Sequence, residues 1–373
     1  MDSKIKLVFF HPYSHLGGAD NSLRRLIENL NLNDFSITFL SLNRSYLKSI
    51  LNKKIIFKRL NANRTIFSIS ELKKIVGEYE KNRKYKKIIV ISNQNFANLA
   101  VSFAIKSNKK IKTIFVDRNH LDELDFNRNL TDKIKNLILK ILIKFRYLKA
   151  DQVIGISKKL SNDLSNYTNC SVKTIYSPSF DKTIIKKSKE KLNLSRKFNY
   201  ILNVSRFSKR KDHQTTLKAF EIVTKKIKNL KLILIGYGPE LKNIKLFAKE
   251  LKISNKIIII KKTYNPYKFM KRSKLVILTS VYEGFPNVLT EALTIGTPVI
   301  TTNANAGASE IIMNGKGGDL IKIGDFKNLS KKIIDHFKFP NKLKNKTIFA
   351  RKNLYRFETT RHSKIYTKLF KKI

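Results

Sequence analysis

The sequence is short of cysteine, tryptophan and acidic residues and has no long apolar run, and each shortage closes off a class of protein. With Cys170 as the single cysteine, no disulfide can form within the chain, which fits a reducing compartment. No stretch of about 18 uninterrupted apolar residues occurs, so nothing reads as a membrane-spanning helix. Met1 to Lys4 passes straight into the apolar Ile5–Phe10, without the longer core and cleavage site of a secretory signal. The expectation is a cytoplasmic protein, either free or peripheral on the inner face of a membrane. Acidic residues number 27 against 77 lysines and arginines, a formal net charge of +50. Such a surface attracts polyanions: nucleic acid, anionic lipid or diphosphate substrates. Lys, Ile and Asn crowd the whole chain, however, so a drift of composition accounts for the same charge equally well. Nucleic acid is set aside, because Trp is absent, no recognisable module occurs, and most Phe and Tyr fall in core-like patterns. No cluster of His, Cys, Asp and Glu and no Asp-x-Asp pattern suggests a metal, and no cofactor is expected.

What the chain does have is two successive alternations of strand and helix. Apolar runs at Ile5–Phe10, Ser36–Ser41, Lys87–Ser92, Ile111–Val116 and Gln152–Ile156 precede a second set. That set lies at Tyr200–Ser205, Lys231–Ile235, Lys256–Ile260, Leu275–Thr279 and Pro298–Thr302. Helical periodicity fills the gaps, as at Asn21–Leu30 and Ser68–Asn82. Strands that are apolar at nearly every position are buried on both faces, as in parallel sheets flanked by helices. At 373 residues and 42% hydrophobic composition, the chain can bury two such cores. The expected fold class is α/β, two doubly wound, Rossmann-like parallel-sheet domains facing each other across a cleft. The expected divisions are a first domain at 1–180, a polar linker at 181–198 and a second domain at 199–350. A C-terminal helix at 351–373 is expected to pack back on the first domain; Phe349, Leu354, Phe357, Tyr366 and Leu369 are its candidate anchors and those of the residues just before it.

The most informative stretch, Ser280 to Val299, reads Ser-Val-Tyr-Glu-Gly-Phe-Pro-Asn-Val-Leu-Thr-Glu-Ala-Leu-Thr-Ile-Gly-Thr-Pro-Val. A strand ends, a tight turn follows at Glu283-Gly284, and a helix starts at about Pro286, where a missing N–H costs nothing. Gly296 stops that helix. Free backbone N–H groups and the positive helix end make a seat for a diphosphate. Glu283 and Glu291 flank the seat. Ionised carboxylates only accept hydrogen bonds, so vicinal hydroxyls suit them. A second loop, Asn203 to Gln214, follows a strand and sets Arg206 and Lys211 five residues apart. Ile235-Gly236-Tyr237-Gly238-Pro239 and Gly307-Ala308-Ser309-Glu310 are weaker, glycine-containing turns.

The string Glu-Gly-Phe-Pro-Asn-x3-Glu-Ala-x3-Gly-Thr-Pro-Val resembles the Glu-x7-Glu signature of retaining glycosyltransferases of family 4, which adopt the GT-B fold. The resemblance runs from Gly17-Gly18-Ala19-Asp20 to the final helix. It implies that Glu283 contacts donor-sugar hydroxyls and that Glu291 holds the nucleotide ribose. Gly284, Phe285 and the backbone around Asn287, Val288 and Leu289 would touch sugar and phosphate, with Gly236 near the nucleotide. Arg206 and Lys211 would neutralise the leaving nucleoside diphosphate, fixed cations that favour the transition state over the ground state. In the first half, Gly17 and Gly18 would let the backbone approach the donor, with Asp20 where the family more often has Glu. His120, which closes Val116-Asp117-Arg118-Asn119-His120, would stand at the edge of the active site. The family more often has a second glycine or Gly-Pro after Gly307, so this sequence departs from it there. The implied reaction moves a UDP-linked hexose or N-acetylhexosamine, with retention and without a metal. The implied acceptor is a glycan or lipid-linked glycan in cell-surface polysaccharide or lipopolysaccharide synthesis. Two other classes stay open: a UDP-sugar 2-epimerase of the same fold, and a non-catalytic polyanion- or membrane-binding protein on this scaffold.

One helix, Lys133–Lys149, carries two apolar faces. Ile134, Leu137, Ile138, Ile141, Phe145 and Leu148 form a wide face; Leu139, Ile143 and Tyr147 form a narrower stripe, with Lys and Arg on both sides. One face is expected on the sheet. The narrower stripe is expected either against an anionic membrane leaflet or packed within the protein.

Overall fold

Most of the apolar runs become buried strands inside the two sheets; the run at Ile257–Ile260 is instead a partly exposed sheet edge. The computed structural model describes every residue except 1–3, 15–16, 43–46, 126–128, 193–197, 262 and 305–306. His15 and Leu16 of the first glycine-rich loop, and 193–197 of the expected linker, therefore lie outside the described residues. The chain divides into two units, Met1–Pro178 with Thr359–Ile373, and Ser179–Glu358.

The first unit is built on seven parallel strands: β1 (Lys4–Phe10), β2 (Phe35–Ser41), β3 (Ile56–Arg59), β4 (Tyr85–Asn93), β5 (Ile111–Asp117), β6 (Gln152–Gly155) and β7 (Val172–Thr174). Their order is β3-β2-β1-β4-β5-β6-β7. β1 lies at the centre with every residue from Ile5 to Phe10 buried. Strand order reverses between β1 and β4, the position where such sheets bind ligands at their carboxyl ends. The helix Thr359–Lys372 packs within this unit, its Phe370 ring meeting Phe9 and Phe35 edge-on at 6.5 and 5.8 Å.

The second unit repeats the design with β8 (Asn199–Val204), β9 (Leu230–Ile235), β10 (Ile257–Ile260), β11 (Leu275–Leu278), β12 (Val299–Thr302) and β13 (Asp319–Ile321). The order is β10-β9-β8-β11-β12-β13, again all parallel, with its reversal between β8 and β11.

Several boundaries differ from the sequence reading. β3, β7 and β13 have no counterpart there; each is a sheet edge of three or four residues and partly exposed. An edge strand pairs on one side only and needs no continuous apolar run. The stretch expected as a linker contains a helix, Lys182–Ser188, whose buried Ile184 packs it into the second unit against the helices Tyr267–Arg272 and Asn287–Ile295. The C-terminal stretch is two helices rather than one. Pro340–Asn353 and the 3₁₀ turn Leu354–Phe357 belong to the second unit, and Thr359–Lys372 to the first. The break falls at Glu358, whose backbone is extended and bridges Phe180, while Ser179 N–H donates to the Phe357 carbonyl. Phe349 is exposed, whereas Leu354, Phe357, Tyr366 and Leu369 are buried.

The two-faced helix, Leu130–Arg146 followed by a 3₁₀ turn at Tyr147–Lys149, settles the choice between its faces against the expectation of a lipid-facing narrow stripe. Leu139, Ile143 and Tyr147 are 7%, 0% and 0% exposed and join the core of the first unit. The wide face points outward instead. The helix meets the unit along one line, against the helices Asn95–Ala104 and Lys158–Thr168, and a narrow stripe suffices to fill it. No helix among the described residues is long and apolar enough to cross a membrane. Ile143→Ala is expected to lower stability by about 2–5 kcal/mol through the cavity it leaves. Ile141→Ala, on the outward face, should change it by no more than about 0.5 kcal/mol. Urea denaturation of the two variants checks the assignment.

Candidate active site

At the second unit's reversal point β8 and β11 are neighbours, so the loops leaving their carboxyl ends emerge side by side. Those loops are laced together. Thr279, just past β11, donates through its hydroxyl to the Asp212 carbonyl at 2.9 Å and lies 2.8 Å from the Thr216 hydroxyl. Val281 N–H donates to the Arg210 carbonyl at 2.8 Å. Asp212 takes a left-handed backbone, φ 43°, and caps the helix His213–Lys226 by accepting from Thr215 N–H at 3.1 Å. This lacing brings Lys211 and Glu283 together as an ion pair between Nζ and Oε1, and Ser280 Oγ donates to the same Oε1 at 2.6 Å. Their side chains are only 13% and 11% exposed. Arg206 stands on the same loop and is exposed, as are Lys209 and Arg210.

The glycines of the turn after β9 hold this loop up. A Cβ on Gly236 would lie 1.9 Å from the Ser205 carbonyl oxygen, and one on Gly238, at φ +150°, would lie 2.2 Å from that of Phe207. Phe207 N–H donates to the Tyr237 carbonyl at 2.8 Å and its ring stacks edge-on to His213 at 5.1 Å. Burial, assisted by Lys211, pushes the His213 pKa down to about 4, so the ring is neutral. Since Ser205 Oγ donates to Asn203 Oδ1, His213 Nε2 is the donor in its 3.0 Å contact with Ser205.

The helix after the Glu283 turn spans Asn287–Ile295, with Pro286 in the N-cap position and no side-chain cap, one residue later than the sequence suggests. Gly296 ends it at φ +91°. Glu291, one turn in, is buried with the Tyr267 hydroxyl 3.4 Å from its Oε1; Asn287 Oδ1 accepts from Ser179 Oγ at 2.9 Å. Leu289 is fully buried, and Phe285 packs edge-on against Phe357 at 5.1 Å. Gly307 comes close to the same turn: a Cβ there would sit 2.4 Å from the Gly284 carbonyl oxygen.

In the first unit, the loops after β1 and β5 carry the remaining candidates. Asp20 is buried in the first turn of Gly18–Glu28; its Oδ2 accepts from Gly17 N–H at 3.0 Å and its Oδ1 lies 2.8 Å from His11 Nε2. Gly17 and Gly18 are exposed, and a Cβ on Gly17 would meet nothing within 4 Å. No contact among the described residues forbids a side chain there, in contrast to Gly236. His120 is 2% exposed, with Nδ1 3.3 Å from Asp163 Oδ2. Burial lowers its pKa below the ordinary histidine value, against the pull of Asp163.

Residues to which the sequence reading gave no role support these positions. Thr279 and Ser280 are plain polar residues at a strand end, and nothing in their type announces them. Asp117, quoted only as a neighbour of His120, is fully buried. It accepts from Tyr147 OH at 3.0 Å and from Arg118 N–H at 3.0 Å, and Asn98 links Tyr147 to Ser92. Burial raises the Asp117 pKa to about 7. An acid inside an apolar strand was the signal available.

The fold, two Rossmann-like parallel-sheet units with such loops at the strand ends, is that of the GT-B glycosyltransferases. The profile of the family described as Glycosyl transferases group 1 matches residues 184–353, nearly all of the second unit. An uncharacterized glycosyltransferase of Methanocaldococcus jannaschii is 26% identical over 288 residues, 74% of this chain and 70% of that protein. The N-acetylgalactosamine-N,N'-diacetylbacillosaminyl-diphospho-undecaprenol 4-alpha-N-acetylgalactosaminyltransferase of Campylobacter jejuni is 30% identical over 197 residues. That match covers 52% of this chain, which spans about half (53%) of that relative. Anabaena HepE, solved in complex with UDP and glucose, superposes with a TM-score of 0.79 at 18% identity, over 98% of this chain and 99% of its own, a likeness of fold. Over its second unit the chain is thus similar to glycosyltransferases, and over both units it has their fold.

Two outcomes test the geometry. Gly236→Ala is expected to cost about 1–3 kcal/mol by pushing the Arg206 loop aside, whereas Gly17→Ala, on an extended backbone with open space, should stay within about 0.5 kcal/mol. Asp117, raised from 3.8 to about 7, keeps its proton in the native state after the unfolded chain has lost it. Stability through this group therefore falls as pH rises from about 4 to about 7. Asp117→Asn does not titrate, so its melting temperature should gain on the wild type across that window; a constant difference would contradict the buried neutral acid.

Proposed function

We propose that the protein is a retaining, metal-independent transferase that moves a hexose or N-acetylhexosamine from UDP to a glycan or lipid-linked glycan of the cell surface. The observation that carries this reading is the Lys211–Glu283 pair, set by laced loops at a sheet reversal. An ammonium has three protons and can serve a phosphate while holding a carboxylate. Both contacts of Glu283 fall on Oε1, and Oε2 is assigned to donor-sugar hydroxyls. Lys211 and the exposed Arg206 take the diphosphate together with the uncapped start of Asn287–Ile295, and Glu291 takes the ribose. In this reading the second unit binds the nucleotide sugar and the first the acceptor.

The anomeric carbon–oxygen bond to the β-phosphate breaks, and its electron pair leaves with UDP. The acceptor hydroxyl bonds to the same face of that carbon and passes its proton to the departing β-phosphate oxygen. Charge accumulates on the diphosphate, where fixed cations lower the barrier. The UDP in the Anabaena structure supports the donor, and the diphospho-undecaprenol in the name of the Campylobacter relative supports a lipid-linked acceptor.

A panel of UDP-glucose, UDP-galactose and their N-acetylamino forms, assayed for UDP release with and without lipid-linked glycan, tests the reading. Turnover should persist in EDTA and give an α-linked product from an α-linked donor. Glu283→Gln and Arg206→Ala should each lower kcat by about 10²–10³-fold. A β-linked product, or no UDP release from any donor, would overturn it.

A further inference from the structure

The outward face of the helix Leu130–Arg146 is apolar and has no partner among the described residues. Ile134, Leu137, Ile138, Ile141, Phe145 and Leu148 are each 47–61% exposed, and Phe96 and Phe103 of the adjoining helix Asn95–Ala104 are 47% and 44% exposed. Large apolar side chains that are exposed singly are ordinary, but a contiguous patch of them marks an interaction surface. The cations around it are arranged to suit one kind of partner. Between Asp132 and Asp151 there are six lysines and arginines and no acidic residue. Lys135 lies over the Phe96 ring at 5.4 Å and Arg146 over Phe103 at 4.1 Å, so positive charge borders the apolar rings directly. Lys133, Lys144 and Lys149 are exposed beside them.

We propose that this face docks the first unit on an anionic lipid bilayer, the helix lying in the interface with its apolar row among acyl chains and its lysines on lipid phosphates. A second copy of the chain would bring the same cations to the contact and be repelled, whereas a bilayer offers apolar depth and negative charge together. The placement inverts the one expected from the sequence: Leu139 and Ile143 are structural, and the six outward residues enter the lipid. It deepens the reading of a lipid-linked acceptor, but the binding test uses no donor, so the two fail separately.

The test is co-sedimentation of the full chain with vesicles of phosphatidylglycerol and phosphatidylcholine, or phosphatidylcholine alone. Binding should require the anionic lipid. The triple variant Leu137→Glu/Ile141→Glu/Phe145→Glu, on exposed positions, should bind at least about ten-fold more weakly while melting like the wild type. Lys242→Glu/Lys245→Glu/Lys249→Glu, which lowers the net charge twice as far on an exposed helix of the second unit, should keep most of the affinity. Equal losses in both variants would mean that bulk charge alone binds lipid and would overturn the proposal. Unchanged binding of the first variant would overturn it too, as would no vesicle binding together with a wild-type dimer, seen by sedimentation, that this variant abolishes.

Discussion

Much of the second unit's site rests on one hydroxyl. Thr279 sits where β11 ends and ties its loop to the loop leaving β8, and the Lys211–Glu283 pair follows from that tie. Neither charge is easily held so far out of water by itself, because desolvating an unpaired ion costs several kcal/mol. Together they keep a cation and a carboxylate fixed at the mouth of the sheet. The reversal of strand order between β8 and β11 supplies the gap into which both loops can lean.

Glycines around this centre serve two different purposes. Gly236, Gly238 and Gly307 are places where backbone meets backbone, and a methyl group would collide with a carbonyl oxygen. A Cβ on Gly17 would meet nothing among the described residues, so no packing contact there demands its missing side chain. Sequence motifs do not separate these cases, since a glycine beside a strand end looks alike in each. In the first unit a buried chain of Ser92, Asn98, Tyr147 and Asp117 stands below the end of β5. It explains why a tyrosine occupies a core stripe: its hydroxyl has partners on both sides.

Central strands were legible because a strand buried on both faces must be apolar at every position, as Leu7 to Phe10 and Leu275 to Leu278 are. The edge strands β3, β7 and β13 were not, because half-exposed pairing does not require such a run, although the edge strand β10 has one. That Arg206, Lys211 and Glu283 stand in loops just past strand ends was legible from spacing. Ser280 and Thr279 were not, since their role depends on which loop lies opposite.

The amino-acid sequence by itself determined the two-sheet α/β class, the loops that leave the strand ends, and the helix with two apolar faces. Periodicity and turn residues encode these locally. The tertiary structure alone decided which face of that helix is core, that Lys211 pairs with Glu283, and that the C-terminal stretch is divided at Glu358 between two units. Each depends on which surfaces meet. Two apolar faces on one helix compete for the same core, and the winner is set by the width of the space left to fill.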